Sequence, residues 1–188
     1  MEKKQYEIIL SGVGGQGTVS SGAILGEAAS LYDNKFAVMT CTYGTEARGT
    51  FAKSDILISD NFVAYYEALY PDIILVLSNK AYPKIKSRII EKTMVIINSN
   101  EVADYEKNLG QVYSLPLSEM AFKIGSLQTV NIIALGFIVG KTKIVRKEAL
   151  IKAIKNRYPG EKEAKVNMKA IEEGFKLVEF LSIDKNRF

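Results

Sequence analysis

Histidine is missing from the 188 residues, and cysteine occurs once, as Cys41. Without imidazole the chain lacks both the usual general base at neutral pH and the commonest metal ligand. One thiol cannot close an internal disulfide, hold a four-thiolate iron–sulfur cluster or complete a structural zinc site. Any redox chemistry near this chain is therefore carried by another polypeptide, and no catalytic or metal-binding residue is assigned to it. Cys41 lies inside an apolar run and reads as a buried strand residue.

Long hydrophobic runs are lacking as well. The longest, over residues 132–139, is far too short to span a bilayer, and the N-terminus opens on charged and polar residues instead of a signal sequence. The expectation is a cytoplasmic protein with no membrane association. A net charge of +4 is only mildly basic. The lysines are spread over the C-terminal half and no basic stripe is interleaved with aromatics, so they read as solvated helix faces and a nucleic-acid partner is not expected. No repeat, low-complexity tract or long linker interrupts the chain. With 47% hydrophobic and 24% charged residues it has an ordinary globular composition, and its length suits one domain, 1–188.

Glycine, by contrast, is concentrated at one place. Gly12, Gly14, Gly15 and Gly17 lie between an apolar run over 6–10 and a helix-like segment over 19–31. Gly12, Gly14 and Gly17 have the G-x-G-x-x-G spacing of dinucleotide-binding turns, and strand-then-helix context is where that spacing has meaning. Glycines let the backbone turn sharply and let a ligand approach peptide N–H groups, while the dipole of the following helix favours an anion. A phosphate cradle is one reading; the other is a tight turn that only packs helix against strand. A nicotinamide site would add an acid near the end of the second strand for the ribose hydroxyls. That strand ends in Cys41-Thr42-Tyr43-Gly44, and Asp33 precedes it at the wrong end.

Apolar runs alternate with helix-like segments in the pattern of a βαβ sheet. Strands are expected over 6–10, 37–41, 55–59, 73–77, 94–97 and 112–115, and helices over 19–31, 62–69, 82–89, 118–124 and 129–139. Runs such as Ile73-Ile74-Leu75-Val76-Leu77 are apolar on both faces, as buried parallel strands are. Two amphipathic helices follow, over 146–158 and 161–181, separated by Pro159-Gly160. The predicted fold is α/β: a single doubly wound, mostly parallel, Rossmann-like sheet with helices on both faces and a C-terminal helical pair. Ligands of such sheets sit at the carboxyl ends of the strands. The loop after the second strand, with Tyr43, Glu46 and Arg48, should leave from that edge. Arg48 could fork onto a phosphate or carboxylate with Glu46 orienting it, or the two could form a surface pair of little energy.

Taken in order, Gly12-Val13-Gly14-Gly15-Gln16-Gly17, Tyr43-Gly44-Thr45-Glu46-Ala47-Arg48-Gly49, Ser59-Asp60, Asn131-Ile132-Ile133-Ala134-Leu135-Gly136 and Asn167-Met168-Lys169-Ala170 resemble the gamma subunit of 2-oxoacid:ferredoxin oxidoreductases. The likeness spans nearly the whole chain. The Tyr-Gly-x-Glu-x-Arg-Gly form is most similar to the 2-oxoglutarate type, with pyruvate and branched-chain types next. Family members often read Tyr-Gly-Pro-Glu-x-Arg-Gly-Gly; here Thr45 stands for the proline, releasing a fixed φ, and Thr50 for the second glycine.

The resemblance implies a subunit that is inactive alone and assembles with alpha and beta, and in some enzymes delta, subunits that deliver electrons to ferredoxin. Thiamine diphosphate and iron–sulfur clusters are then expected on partner subunits, and coenzyme A as co-substrate at this one. It places Gly12, Gly14, Gly15, Gln16, Gly17 and Thr18 at the coenzyme A diphosphate, Arg48 on a phosphate, Glu46 against Arg48, and Tyr43 over an apolar or adenine face. Asn131 fits a cap, a turn-fixing side chain or a ligand contact. An isolated chain could pair with a second copy. The competing functions are a stand-alone nucleotide- or coenzyme A-binding module and a small NAD(P)-dependent reductase.

Overall fold

The computed structural model describes residues 5–44 and 49–184. Its sheet has the strand order β2-β3-β1-β4-β5-β6, with β1 Gln5–Val13, β2 Phe36–Tyr43, β3 Phe51–Ser59, β4 Ile73–Val76, β5 Met94–Asn98 and β6 Gln111–Leu115. Neighbours from β1 to β6 on that side are parallel, whereas β3 is antiparallel to both β1 and β2. β2 consequently runs with β1, and five strands end at one edge.

All six expected strands are present. The third differs from the parallel expectation because 55–59 is the second half of a longer strand returning from β2 as a hairpin. The connection between β2 and β3 is far shorter than the dozen or more residues that a parallel crossover needs.

Strand register separates two cores. Ile8, Leu10, Ile56, Ile73, Leu75 and Ile96 face α1 (Thr18–Tyr32) and the helices that follow β6, while Ile9, Ile74, Val76, Val95 and Ile97 face the opposite side. The first side carries α3 (Leu117–Ile124), α4 (Val130–Thr142), α5 (Lys147–Arg157) and α6 (Glu161–Asp184). α4 is buried from Asn131 to Gly140, as expected of a helix apolar all round. It meets α6 where Gly136 lies under Ile171 and Gly174, an approach too close for a side chain: a Cβ on Gly136 would lie 2.5 Å from the Ile171 carbonyl oxygen. Pro159 and Gly160 separate α5 from α6, and Ala170 and Ile171 on α6 fill the core.

The opposite side is covered thinly. It carries α2 (Tyr82–Ile85), a 3-10 turn over Lys86–Arg88, and irregular segments. The helix expected over 82–89 therefore tightens after one turn. The helix expected over 62–69 does not form. That stretch is an irregular strap in which Val63 and Ala68 are buried and Phe62, Tyr66 and Leu69 are exposed. Cys41, expected to be buried, is exposed, because β2 lies at the edge of the sheet and not inside it. Its Sγ is 3.7 Å from Ser54 Oγ.

Candidate ligand site at the glycine turn

The shared carboxyl edge gathers the turn after β1, the hairpin after β2 and the residues following β4 and β5. Gly14 N–H donates to the Thr50 carbonyl at 2.9 Å, and Gly44 N–H donates to the Phe51 carbonyl at 2.8 Å. The hairpin and the glycine turn thus face one another, as the edge rule requires. Glu46 and Arg48 lie outside the described residues.

Within the turn, Gly14 and Gly15 are exposed. Gly15 has φ +98° and Gly17 φ +73°, left-handed values that glycine adopts at little cost. Nothing lies within 4 Å of where a Gly15 Cβ would stand, so the turn is open to a ligand. Gln16 N–H donates to the Val13 carbonyl at 3.1 Å and Ser21 N–H to the Gly17 carbonyl at 2.9 Å. The N–H groups of Gly15 and Gly17 and those of Thr18 and Val19 find no acceptor among the described residues, which is how an anion cradle at a helix start is built. No acidic residue occupies the first turn of α1.

The individual predicted residues divide into two groups. Gly14, Gly15 and Gly17 form the open turn. Gly12 is buried beneath it, and a Cβ there would meet Gln16 Oε1 at 2.5 Å and the Thr18 Cγ2 at 3.3 Å. Gln16 is engaged at both ends: its Oε1 accepts the Val13 N–H at 2.9 Å and its Nε2 donates to the Leu77 carbonyl at 3.0 Å. Thr18 is buried, which leaves its backbone N–H as the group facing the turn. Asn131 Nδ2 donates to the Gly17 carbonyl at 3.2 Å, so of the three roles open to it the turn-fixing one is realised. Tyr43 ends β2 with its ring exposed; partial desolvation, and next the Cys41 sulfur two residues away, hold its phenol above the ordinary tyrosine value.

Two features escaped the sequence reading. Lys80, just past β4, donates from Nζ to the Gly49 carbonyl at 3.3 Å and puts a cation at the rim of the turn. Its position after a strand at the carboxyl edge was the available signal. Beside Gly15 and Gln16 opens a cleft of about 270 Å³ lined also by Asn98, Glu101, Ser118 and Gln128. Asn98 is fully buried and holds the start of α3, with Nδ2 donating to Ser118 Oγ at 2.9 Å.

Residues 7–177 match the family described as pyruvate ferredoxin/flavodoxin oxidoreductase. The chain belongs to this family. A Methanocaldococcus jannaschii protein named 2-oxoglutarate synthase subunit KorC is 40% identical over 95% of this chain and 97% of its own length. The solved keto/oxoacid ferredoxin oxidoreductase gamma subunit of Geobacter sulfurreducens superposes with a TM-score of 0.80 at 35% identity, covering 91% of this chain and 96% of that one. With such relatives, the family member described here is a gamma subunit of the 2-oxoacid:ferredoxin oxidoreductase kind. A 2-oxoglutarate:ferredoxin oxidoreductase of Magnetococcus marinus, solved with 2-oxoglutarate, coenzyme A and succinyl-CoA bound, shares the fold at a TM-score of 0.85 and 22% identity. That match covers 95% of this chain and 32% of the Magnetococcus chain. No helix among the described residues is long and apolar enough to cross a membrane.

Proposed function

We propose that the chain is the gamma subunit of a 2-oxoglutarate:ferredoxin oxidoreductase and that it receives coenzyme A for the oxidative decarboxylation that companion subunits perform. The observation that carries the reading is the 40% identity, over almost the full length of both chains, to a protein named as a 2-oxoglutarate synthase subunit. The open glycine turn supplies the fitting chemistry. Backbone N–H groups of Gly15, Gly17 and the first turn of α1 would hold the diphosphate, and Lys80, with Arg48, would balance its charge. Gln16, Asn131 and Gly12 would act beneath the ligand by fixing the turn. The cleft of about 270 Å³ beside Gly15 would take the neighbouring part of the coenzyme. None of these residues makes or breaks a bond. Thiamine diphosphate and iron–sulfur clusters would reside on the alpha, beta or delta subunits, with ferredoxin as the electron acceptor of the assembly and the cytoplasm as its location.

The test is reconstitution. The isolated chain should be inactive, and with its companion subunits it should support 2-oxoglutarate- and coenzyme A-dependent reduction of ferredoxin. Turnover of NAD(P)H by the isolated chain would overturn the reading. In the assembled enzyme Arg48→Ala should raise the KM for coenzyme A about tenfold or more, as expected for loss of a charge-assisted bond of about 1.5–3 kcal/mol, and leave kcat close to wild type; an unchanged KM removes Arg48 from the site.

A further inference from the structure

Segment 61–70 turns its polar bonds inward and its rings outward. Lys35 Nζ pairs with Asp60 at 2.6 Å at the entry to the strap. Further along, Thr40 Oγ1 donates to the Tyr66 carbonyl at 3.1 Å, Tyr65 Oη donates to Glu7 at 2.9 Å and the Tyr70 N–H donates to Glu7 at 2.7 Å. Arg88 holds the Ala68 carbonyl and pairs with Glu67. These bonds fasten the strap to the sheet. On its outer surface Phe62 is 77% exposed, Tyr66 68% and Tyr70 71%, with Leu69 beside them and Tyr65 half-buried. Phe36, at the start of β2, extends the patch by meeting the Phe62 ring edge-on at 6.3 Å.

The patch is continuous with an unusual edge. No strand pairs with the outer side of β2 among the described residues. From Phe36 to Tyr43 it carries no charge and no proline, the devices that normally keep an edge strand from pairing. At roughly 150–250 Å² per aromatic side chain, the exposed fractions of the five rings amount to on the order of 600 Å². That approaches the roughly 800 Å² which each partner contributes to a stable interface, before the strand edge is counted.

We propose that the outer edge of β2 and the aromatic face of segment 61–70 together form the surface on which a companion subunit of the oxidoreductase docks, pairing an uncharged extended segment along β2 and laying apolar side chains over the rings. This rests on the gamma-subunit reading above. Among the described residues the charges beside the patch are paired within the chain, Lys35 with Asp60 and Arg88 with Glu67, so the complementary surface is neutral. A second copy fits less well. A two-fold axis through an antiparallel β2–β2 pair would place the two Phe36 ends roughly 23 Å apart, from a rise of about 3.3 Å per residue. The two Phe36–Phe62 ring pairs would then sit at opposite ends of the joint strand pair and remain wet. A different polypeptide covers edge and rings at once.

The experiment combines Phe62→Asp with Tyr66→Asp and assembles the chain with its companion subunits. Both positions are exposed, so the isolated double variant should keep the wild-type circular dichroism and melting temperature. Its affinity for the companions, by native mass spectrometry and titration, should fall by a factor on the order of 30 or more, the scale of central aromatic contacts. Amide exchange over 36–43 and 61–70 should slow in the wild-type assembly. If the wild-type chain and its companions do not assemble, the gamma-subunit reading fails and takes the proposal with it. If they assemble and the double variant binds with unchanged affinity, the reading stands and the surface is wrong. Loss of assembly in Phe180→Asp, an exposed ring on α6, with the double variant unaffected, moves the interface and overturns the proposal. A dimer of the isolated chain that the double variant dissolves assigns the surface to a second copy and overturns it as well.

Discussion

The Gln16 side chain reaches from the glycine turn to Leu77, its Nε2 donating to the Leu77 carbonyl at 3.0 Å across the gap between β1 and β4. With its oxygen on the Val13 N–H, it closes the point where connections leave the sheet in opposite directions. In the proposed site a ligand would meet backbone N–H groups above Gln16, whose amide is engaged at both ends. Gln16→Glu keeps the acceptor for Val13 but sets a carboxylate against the Leu77 carbonyl. It should cost about 1–3 kcal/mol of folding stability, the scale of a buried polar group left unsatisfied. In the assembled enzyme it should raise the KM for coenzyme A and leave kcat near wild type. Gly12→Ala should behave alike, because its Cβ would displace Gln16 Oε1. Denaturant melts and coenzyme A titrations of both variants are the check; unchanged stability in both would show that the brace is idle.

The α4–α6 crossing offers a second test. Gly174 lies so close to the Ile133 carbonyl and the Phe137 N–H that a methyl group has no room, and both neighbours are backbone. Gly174→Ala must push the helices apart, at about 1–3 kcal/mol or more. In an exposed helix the same change would stabilise by up to about 1 kcal/mol. The sign of the shift in thermal midpoint thus decides whether the helices are in contact there. Stabilisation would mean that the crossing is looser than described.

Much of the sheet was legible in the sequence: burial on both faces is written as continuous apolar runs in β4 and β5, and shorter apolar runs between turn signals located the other four strands. The misread strap shows the limit. Phe62, Tyr65, Tyr66 and Leu69 have the i, i+3, i+4, i+7 spacing of an amphipathic helix, yet their rings face water or half-face it, while side chains on β1 and β2 take the strap's polar groups. Nothing local distinguishes an apolar stripe aimed at the core from one aimed outward. Strand order is equally nonlocal. Only with β2 at the edge does Cys41 become exposed, and only with α4 beneath the turn can Asn131 bond Gly17, 114 residues away in sequence. The glycines announced a turn, whereas the residues that brace it, Gln16 and Asn131, have partners that no spacing reveals.

Cys41 provides a direct check on the sheet order. An exposed thiol on an edge strand should react with an aromatic disulfide reagent in the folded, isolated chain, with one equivalent titrated before any unfolding. A thiol that reacts only in denaturant would put β2 inside the sheet. In the assembled enzyme the reaction should slow, since the proposed partner strand covers the β2 edge.

Asp55 gives the fold a pH dependence of defined sign. It is buried on β3, with Oδ2 2.6 Å from Lys53 Nζ and Oδ1 without a hydrogen-bond partner among the described residues. Burial raises its pKa above the usual aspartate value; Lys53 opposes the shift without cancelling it, and the smaller effects of Glu67 and Arg88 have opposite signs. A carboxyl whose folded pKa lies above its unfolded one binds its proton more tightly in the folded state. Its contribution to stability is therefore complete below the unfolded value of about 3.9 and is lost as pH rises through the raised native value. Asp55→Asn removes this titration while leaving the other groups in place. The stability of wild type minus that of the variant should then fall as pH rises from about 4 and level off once Asp55 is ionised in the folded chain. Urea melts of both proteins at successive pH values below 8 measure the difference. A difference that grows with pH would mean that Lys53 outweighs desolvation and that Asp55 belongs to a stabilising ion pair instead of a strained one.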